Sequence, residues 1–249
     1  MSAPLLEISG LTHAHNGGEH GIFDISFSLN RGDFVLLAGK NGSGKTTLIR
    51  HLNGLLVPQS GEVRLNGTDI HSQLPTTRKQ VGMVFQDADT QIVADTVFDE
   101  VAFGPENLKM PRQEITQRVT GLLERLDLAR HAEQNPALLS GGEKRRLAIA
   151  GVLAMDPQIL IFDEPFANLD YPSSQAILSL ILELNGEGKT ILMATHELEE
   201  VIPLALRMII LDQGRMVAQG PPAELLKELA SHGIKEPCYS RMGYTAPPW

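Results

Sequence analysis

The spacing of apolar positions separates the chain into strand-like and helix-like stretches. In the first 85 residues, short apolar or alternating runs are divided by turn residues, which predicts strands, and one helix begins at Lys45. From about Asp87 to Met155, apolar residues recur at helical spacing, and across residues 115–128 they fall largely on one helical face. The predicted strands cover residues 5–8, 22–29, 34–38, 62–65, 81–85, 159–162, 190–193 and 208–211.

The order of these elements predicts a mixed α/β fold. Turn residues at 30–33 and at Asn66-Gly67 separate neighbouring strands of the first part, as in hairpins. After Met155 the strands alternate with helical segments, which implies parallel pairing, because a parallel connection needs a crossover. The sequence contains neither an internal repeat nor a low-complexity linker. We therefore expect the helical stretch to be an insertion in one fold.

Composition and charge narrow the possible classes of protein. The chain has 249 residues, of which 42% are apolar and 20% are charged, as in globular proteins with a buried core. Its net charge of −9 argues against a nucleic-acid binder, which neutralises phosphates with basic side chains. The nearest candidate for a membrane span, residues 202–211, contains Arg207 and is shorter than the roughly 18 residues required.

Targeting and cysteine signals agree with this classification. The N-terminal residues lack the basic start and apolar core of a signal peptide. A single cysteine, Cys238, excludes an intrachain disulfide and a zinc site built from several cysteines. We therefore expect a soluble, cytoplasmic protein whose contact with a membrane depends on a partner.

A glycine-rich motif predicts a nucleotide site. Residues 39–46 read GKNGSGKT, which fits GxxxxGK followed by Ser or Thr, and they lie between a predicted strand and a predicted helix. Glycines let the backbone wrap phosphate groups, and the N-terminus of the following helix adds positive potential. Lys45 supplies a cation and the Thr46 hydroxyl can bind Mg²⁺. A glycine-rich turn without a ligand is the alternative interpretation.

Two carboxylates end a later apolar strand. Asp163 and Glu164 follow residues 159–162, and open α/β sheets bind ligands at the carboxyl ends of their strands. Successive strand side chains point in opposite directions, so the two acids should have different roles. Asp163 suits a Mg²⁺-bound water, whereas Glu164 suits orienting or deprotonating the attacking water. A solvated pair at the start of a turn is the alternative.

A serine–glycine segment predicts the start of another helix. Ser140 and Glu143 have the spacing of a capping box. The glycines between them, Gly141 and Gly142, cost backbone entropy and expose amides that an anion could approach. The segment therefore predicts a helix N-terminus and a candidate anion contact.

The motifs of the chain stand in a fixed order. They are the phosphate loop, Gln86 after a strand, Leu139-Ser-Gly-Gly-Glu143, Asp163-Glu164, Ala167-Asn-Leu-Asp170 and His196. This order resembles that of the ATP-binding-cassette (ABC) ATPases over about residues 5–220. Two segments, residues 86–107 and 144–154, are similar to a narrower group, the ATPase subunits of energy-coupling-factor importers, which take up vitamins or transition-metal ions such as cobalt and nickel.

The resemblance implies a fold and its division. The expected fold is α/β, a P-loop NTPase (RecA-like) core with an N-terminal antiparallel β subdomain and an inserted α-helical subdomain. The core and β subdomain are expected in residues 1–86 and 155–220 and the helical signature subdomain in residues 87–154. A C-terminal helix and tail are expected in residues 221–249.

The resemblance also implies a function. It points to an ATP-binding and hydrolysing subunit of an energy-coupling-factor type importer, peripheral on the cytoplasmic face of the cell membrane and powering uptake of a metal ion or vitamin. The expected partners are a second ATPase subunit, favoured to be a second copy, and an integral-membrane subunit; nucleic acid is not expected. The alternative is a soluble ABC ATPase of iron–sulfur cluster assembly, in which the segment after Asp163-Glu164 typically departs from the residues present here.

Catalytic and metal-binding roles follow from the resemblance. Glu164 is expected to be the general base, with Gln86 and His196 as further catalytic residues. Thr46, Gln86 and Asp163 are expected to hold Mg²⁺. The expected cofactors are therefore ATP and Mg²⁺.

Two ABC ATPases close head-to-tail around two ATP molecules, so the resemblance implies sites shared between chains. Ser140 and Gly142 are expected to contact the ATP held by the partner chain, and Asp170 to lie in a turn that couples the two sites. The other residues expected to bind ATP are His15, Gly39, Asn41, Gly42, Ser43, Gly44, Lys45, Thr46 and Thr47.

Two residues depart from the family pattern. His15 stands where an aromatic residue usually stacks on adenine, and its smaller ring suggests looser recognition of the base. His13, His15 and His20 could instead belong to a solvated loop or form a metal cluster. Glu143 stands where Gln is commoner, which places a carboxylate near the phosphates but still allows hydrogen bonds from ribose hydroxyls.

Two further segments carry hypotheses. Tyr239, Tyr244 and Trp249 near the C-terminus form either a frayed end or an arm that docks on a second subunit. Residues 86–107 are expected to couple the ATP site to a membrane protein, with Gln91 on the surface. Within this segment, Val93, Val97, Val101 and Phe103 could face either the core or a partner helix.

Overall fold

A computed structural model of the chain describes residues 3–15 and 20–241. The strands are β1 (Leu6–Ala14), β2 (Gly21–Leu29), β3 (Phe34–Ala38), β4 (Ser60–Leu65), β5 (Thr68–Asp69), β6 (Val81–Val84), β7 (Ile159–Asp163), β8 (Thr190–Ala194), β9 (Arg207–Asp212) and β10 (Arg215–Gly220). The helices are α1 (Lys45–Leu52), α2 (Leu74–Gln80), α3 (Val97–Asn107), α4 (Arg112–Arg125), α5 (Gly141–Leu153), α6 (Tyr171–Gly186), α7 (Pro222–Leu225) and α8 (Cys238–Arg241).

The central sheet has six strands in the order β10-β9-β3-β8-β7-β6. Strands β9, β3, β8, β7 and β6 are parallel, as the alternation of strands and helices predicts, and β10 is antiparallel to β9. Every residue of β3, β7 and β8 is buried because both faces of the sheet are covered. The carboxyl ends of these strands therefore meet at one edge, where the motifs follow them.

A second sheet, of antiparallel strands, is formed by the N-terminal part of the chain. Its order is β2-β1-β4-β5, and buried and exposed positions alternate along β1 and β2. Asn66 and Gly67 both have positive φ and join β4 to β5, with Leu65 opposite Thr68. The hairpin predicted at this dipeptide is confirmed, since both residue types tolerate the left-handed conformation.

Alternation along the central strands divides the apolar residues into two cores. Leu36 and Phe162 pack with residues of α3–α6 on one side of the sheet. Their neighbours Leu37 and Ile161 pack on the other side with α1 and the antiparallel sheet. The mixed α/β fold expected from the sequence is confirmed.

Helices α3, α4 and α5 lie between β6 and β7 in the chain, where the helical stretch was predicted. Helix α5 is buried on most of its circumference, and all four of its residues 147–150 are buried. Gly104 of α3 makes room for Met155, just after α5, since a Cβ at Gly104 would stand 2.8 Å from Met155 Cγ. Helix α4 ends at Arg125 and does not reach residue 128 as predicted.

Two elements were not predicted from the apolar pattern. Helix α2 is seven residues long and buries only Thr77, so it carries little periodicity. Strand β10 pairs with one neighbour, and none of its residues is fully buried.

Of the residues in the C-terminal hypothesis, Tyr239 lies in α8, and Tyr244 and Trp249 lie outside the described residues.

Candidate active site

The phosphate loop connects β3 to α1 at the edge of the central sheet. Gly44, immediately before α1, has a φ of +103°, and a Cβ there would approach Ile22 Cγ2 to 2.9 Å. Lys45 Nζ donates to the carbonyl oxygens of Gly39 and Lys40, at 2.7 and 3.3 Å, which curls its side chain over the loop. The loop thus has the shape of a cradle with its cation held across it.

An orphaned hydroxyl lies inside this cradle. Ser43 is 1% exposed, and its Oγ has no hydrogen-bond partner among the described residues. A buried hydroxyl is normally hydrogen-bonded, so an unpaired one indicates a place for an acceptor such as a phosphate oxygen. The loop therefore fits a triphosphate.

Thr46 and Asp163 bring two oxygen ligands together from α1 and β7. The Thr46 hydroxyl donates to Asp163 Oδ2 at 3.0 Å, beneath the cradle. Hydroxyl and carboxylate oxygens are the ligands that Mg²⁺ prefers. The donor set present here fits that ion.

Glu164 occupies a strained backbone position at the end of β7. Its φ is +48°, which is uncommon for a residue with a side chain. Its amide donates to Ala194 O at 2.8 Å, and its carboxylate oxygen Oε2 lies 2.9 Å from His196 Nδ1. The other oxygen, Oε1, lies 3.8 Å from Lys45 Nζ. Such strain persists only where surrounding contacts hold it, and it clusters at functional sites.

A cavity of about 610 Å³ unites most of the predicted residues. It is open to solvent on one side and polar in character, as a site for a charged ligand would be. Asp163 lies beneath it, and the residues that line it are His15, His20, Gly21, Asn41, Gly42, Ser43, Gly44, Lys45, Thr46, Thr47, Gln86, Glu164 and His196.

Burial disfavours the charged forms of two groups at the base of this cavity. Burial raises the pKa of the Asp163 carboxyl above its usual value, and the nearby Glu164 carboxylate acts in the same direction. Burial also lowers the pKa of the Lys45 ammonium, although Glu164 and Asp163 oppose that change. A ligand that brings both negative phosphates and a divalent cation would stabilise both charged forms.

His15 lies at the rim of the cavity, where the base of a nucleotide was expected. Its ring is exposed and its Nε2 lies 3.1 Å from Thr47 Oγ1. His13 stands edge-on to His15 and to His51, with ring centroids 5.1 and 4.8 Å away. His20 lines the cavity nearby. Within residues 3–15 and 20–241, no group of His, Cys, Asp or Glu side chains has the arrangement of a metal site.

Four of the expected ATP contacts do not line this cavity: Gly39, at the start of the phosphate loop, and Ser140, Gly142 and Asp170. Ser140 is the N-cap of α5 and forms the predicted capping box with Glu143, which is confirmed. Gly142 is buried, and a Cβ there would stand 2.7 Å from Ser173 Oγ of α6. Asp170 caps α6 by accepting from the Ser173 amide at 3.0 Å. The structure thus places Ser140, Gly142 and Asp170 at the N-terminal ends of α5 and α6, outside the cavity that the phosphate loop of the same chain lines.

The charge of Glu143 is compensated within the chain. Its carboxylate accepts from the amide and hydroxyl of Ser140, at 2.9 and 2.8 Å, and from Arg130 at 3.2 Å. His131 Nε2 lies 3.0 Å away. These contacts, chiefly those with Ser140, lower the pKa of Glu143 to about 2. The carboxylate is therefore satisfied before any ligand arrives.

Replacing Glu143 with Gln should remove a pH-dependent part of the stability. Because the carboxyl is more acidic in the folded chain, its contribution is fully present above its ordinary pKa of 4.5 and is lost as pH falls toward about 2. Gln can also complete a capping box, so the substitution isolates the charge. Urea titrations from about pH 7 to about pH 3.5 should show a free-energy difference between the two proteins that shrinks with acidification. A difference that stays constant would contradict this.

The segment after Gln86 corrects one expectation. Gln91 is half-buried and not a surface residue: its Oε1 accepts from the Phe85 amide at 2.9 Å and its Nε2 donates to Met83 O at 3.4 Å. Its side chain supports the end of β6, so a substitution such as Gln91→Arg would disturb the segment that carries Gln86 and could not test a docking surface alone.

The valines of this segment do not share one face. Val97 and Val101 are fully buried in the core, as α3 begins only at Val97. Val93 and Phe103 are 68% and 52% exposed. The preceding loop is shaped by the buried Glu100 carboxylate, which accepts from the amides of Val93 and Ala94. Of the two orientations left open by the sequence, Val97 and Val101 therefore face the core, and Val93 and Phe103 are available to a partner.

Two buried charged residues were missed by sequence reasoning. Glu100 and Arg145 are 8% and 3% exposed and bind backbone groups of neighbouring segments. Each stands at a position of its helix where the apolar pattern calls for a buried residue. Because a charged side chain is rarely buried unless it is paired, this position was the signal that each residue has buried partners.

Comparisons with known proteins agree with this site. A family profile described as ABC transporter matches residues 22–167. The chain is 40% identical over 257 residues to an energy-coupling factor transporter ATP-binding protein of Methanospirillum hungatei, covering 94% of this chain and 65% of that protein. It is 41% identical over 240 residues to a cobalt import ATP-binding protein of Rhodobacter capsulatus, covering 94% and 86%.

A solved structure is similar throughout. The protein cbiO1 from Clostridium perfringens, described as part of the ABC transporter complex cbiONQ, superposes with a TM-score of 0.81 at 32% identity. The superposition covers 97% of this chain and 98% of that one.

Proposed function

The chain belongs to the ABC transporter family of ATP-binding proteins, as an ATPase of the energy-coupling factor type, and we propose that it powers the import of a metal ion or vitamin. The observation that carries the proposal is the convergence of Lys45, Thr46, Asp163, Glu164 and His196 on one cavity. The iron–sulfur assembly alternative is not favoured, because the relatives described above carry the names of transporter subunits.

The phosphate loop binds the triphosphate in this proposal. Lys45 turns from the loop carbonyls toward the β- and γ-phosphates, and the unpaired Ser43 hydroxyl donates to a phosphate oxygen. Thr47 contacts the α-phosphate, which requires its hydroxyl to leave His15, and His15 then stacks on adenine. Asn41, Gly42 and Gly44 line the cavity and supply backbone that approaches the phosphates closely, and Gly39 begins the loop that carries them.

Thr46, Asp163 and Gln86 would hold Mg²⁺. When bound, this ion neutralises charge on the phosphates and orients them. Binding of the ion requires the deprotonated carboxylate of Asp163. Because burial raises the pKa of this carboxyl, the affinity of these residues for a cation weakens as pH falls.

Glu164 removes a proton from the attacking water in this proposal. Its Oε2 atom accepts from the His196 amide at 3.2 Å and lies 2.9 Å from the Nδ1 atom of the same residue. These contacts fix that oxygen relative to the phosphate loop, which a general base requires. The His196 ring, half-exposed on the cavity side, also reaches the γ-phosphate.

A second copy completes each site. Ser140 and Gly142 lie apart from the phosphate loop of their own chain, so they can contact only the nucleotide of a partner in a head-to-tail pair. Asp170, at the start of α6 beside Ser173 and hence beside Gly142, would transmit closure of one site to the other.

The membrane partner binds a groove beside the ATP site in this proposal. The described part of the chain has no helix long and apolar enough to span a membrane. A groove of about 510 Å³ runs between α2, β6, α3 and α5 and is mainly apolar, with Leu55 and Phe103 exposed along it. Phe85 and Gln91 form its floor, so a helix docked there contacts the segment that carries Gln86. We place the chain on the cytoplasmic face of the membrane accordingly.

The groove can be tested by substituting Phe103. Phe103→Asp puts a charge where an apolar partner surface would pack, so we expect co-purification with the membrane subunit to weaken by about tenfold or more. The ATPase activity of the isolated chain should stay near wild type, because Phe103 does not line the ATP cavity. Leu206→Asp is the matched control, since Leu206 is 67% exposed and lies outside the groove. Equal retention of the partner by both variants would place the docking surface elsewhere.

Reconstitution tests the function as a whole. The chain is co-expressed with candidate membrane subunits of energy-coupling-factor importers, and ATP-dependent uptake of cobalt, nickel and vitamins into vesicles is measured. We expect uptake of one of these substrates, abolished by Glu164→Gln. ATP hydrolysis without uptake of any of them would contradict the importer proposal and leave the ATPase activity standing.

A further inference from the structure

Arg145 is a buried cation whose partners are backbone carbonyls. It lies on α5 and is 3% exposed. Its Nη1 donates to Phe85 O at 2.5 Å and its Nη2 donates to Gln86 O at 2.6 Å. Its Nη2 also lies 3.5 Å from Ala167 O. The guanidinium thus joins the helix that begins with Ser140 to the segment that follows β6 and to the one that follows β7.

This arrangement is costly for the stability of the fold alone. Taking a guanidinium out of water is unfavourable unless its donors are paired, and its Nε has no partner among the described residues. Asp87 and Asp163 favour the charged form from nearby, but burial lowers the pKa of Arg145 overall. An apolar side chain would fill the same place more cheaply, which points to a role in holding the segments that it bridges.

The geometry of the contact is specific to arginine. Two nitrogens of one planar group reach two consecutive carbonyls, Phe85 O and Gln86 O, and so fix both the position and the direction of that stretch of backbone. On the other side, Gln91 accepts from the Phe85 amide. Phe85 is therefore held through its amide and its carbonyl, immediately before Gln86.

We propose that Arg145 is a positioning residue that fixes the Gln86 segment to α5, so that Gln86 follows this helix when it moves toward a partner's ATP. This inference rests on the roles proposed above for Gln86 and Ser140. Ser140 and Arg145 lie on one helix, so docking of Ser140 on a nucleotide displaces Arg145, and the two carbonyls carry that displacement to Gln86 in the chain's own site. Through Arg145, the ATP site that Ser140 completes in the partner chain is connected to the ATP site that contains Gln86 in this chain.

Arg145→Lys tests the connection, because an ammonium keeps the charge but cannot bridge both carbonyls in one plane. Hydrogen–deuterium exchange of the amides in residues 85–92 should quicken by about tenfold, while exchange in residues 39–47 stays unchanged. Turnover should fall by about 10- to 100-fold with KM for ATP nearly constant, because the binding cradle is untouched. Arg145→Gln serves as the second variant if the lysine protein folds poorly.

Arg118→Lys is the matched control. Arg118 of α4 also donates from Nη1 to a backbone carbonyl, Ala154 O just after α5, at 3.0 Å. It does not contact the Gln86 segment. We expect wild-type turnover and wild-type exchange at residues 85–92. If both lysine variants loosen this segment equally, Arg145 has only a general structural role and the inference is overturned.

A double-mutant cycle with Gln86→Ala separates this inference from the proposed function. If Arg145 acts through Gln86, adding Arg145→Lys to Gln86→Ala should cost little further turnover, whereas independent effects multiply. Multiplied losses, or unchanged exchange at residues 85–92 in Arg145→Lys, would overturn the inference. Faster exchange together with wild-type turnover of Gln86→Ala would uphold the mechanical connection and contradict the role proposed for Gln86.

Discussion

Glu164→Gln is expected to lower ATP turnover by about 10²–10⁴-fold while leaving binding of ATP and Mg²⁺ intact. The amide is nearly isosteric with the carboxylate and can still accept from the His196 amide, so the cavity keeps its shape. It cannot accept a proton from the attacking water, and it carries no charge beside Lys45. Binding and chemistry should therefore separate in this variant.

The separation has a consequence for assembly. If hydrolysis is what reopens a closed pair of chains, Glu164→Gln should accumulate as a dimer on a sizing column when ATP and Mg²⁺ are present, and remain monomeric without them. Glu197→Gln is the control, because Glu197 lies next to His196 but does not line the ATP cavity. Turnover of Glu164→Gln close to wild type would remove Glu164 from the role of base.

Mixing two inactive chains is expected to restore activity if each site is shared between partners. Lys45→Ala removes the cation of the phosphate loop, and Ser140→Arg places a bulky charge on the surface that contacts the partner's nucleotide. Each homodimer then has two defective sites, with losses of about 10²-fold or more. The mixed dimer combines both defects in one site and leaves the other intact.

The size of the recovery can be estimated from random pairing. Half of the dimers in an equal mixture are mixed, and each has one intact site, so up to about a quarter of wild-type activity should return. A mixture of Lys45→Ala with Glu164→Gln is the control, because both substitutions lie on the same side of the shared site and no intact site can form. Failure of the first mixture to exceed the second would contradict sites shared between chains.

The sequence alone was sufficient to predict which residues meet around the phosphate loop. Lys45 and Thr46 come after β3, Asp163 and Glu164 stand at the end of β7 and His196 comes after β8, and parallel strands present their carboxyl ends at one edge of the sheet. Once parallel pairing is inferred, these residues must converge. The capping box at Ser140 and the hairpin at Asn66-Gly67 are equally local, since their partners lie within three residues.

Contacts made through loops could not be predicted from the sequence. Gln91 was expected on the surface because no periodic pattern shows that its side chain closes the end of β6. Glu143 was expected to place a carboxylate near the phosphates, and only the structure shows that Arg130 and His131 lie beside that carboxylate. Both outcomes depend on where a loop returns to the body of the molecule, and loops carry little periodicity.

What the sequence by itself determined is therefore the alternation of the main strands and helices, the sheet edge that carries the phosphate loop, and the local caps and turns. These features follow from periodicity and from neighbours a few residues away. Only the tertiary structure decided that Phe103 lines an open groove while Val101 is buried, and that Arg145 reaches the carbonyls of Phe85 and Gln86. The physical reason is that residues about 60 apart in the chain meet only through the summed packing of the helices between them, and that packing has no signature in any single stretch of sequence.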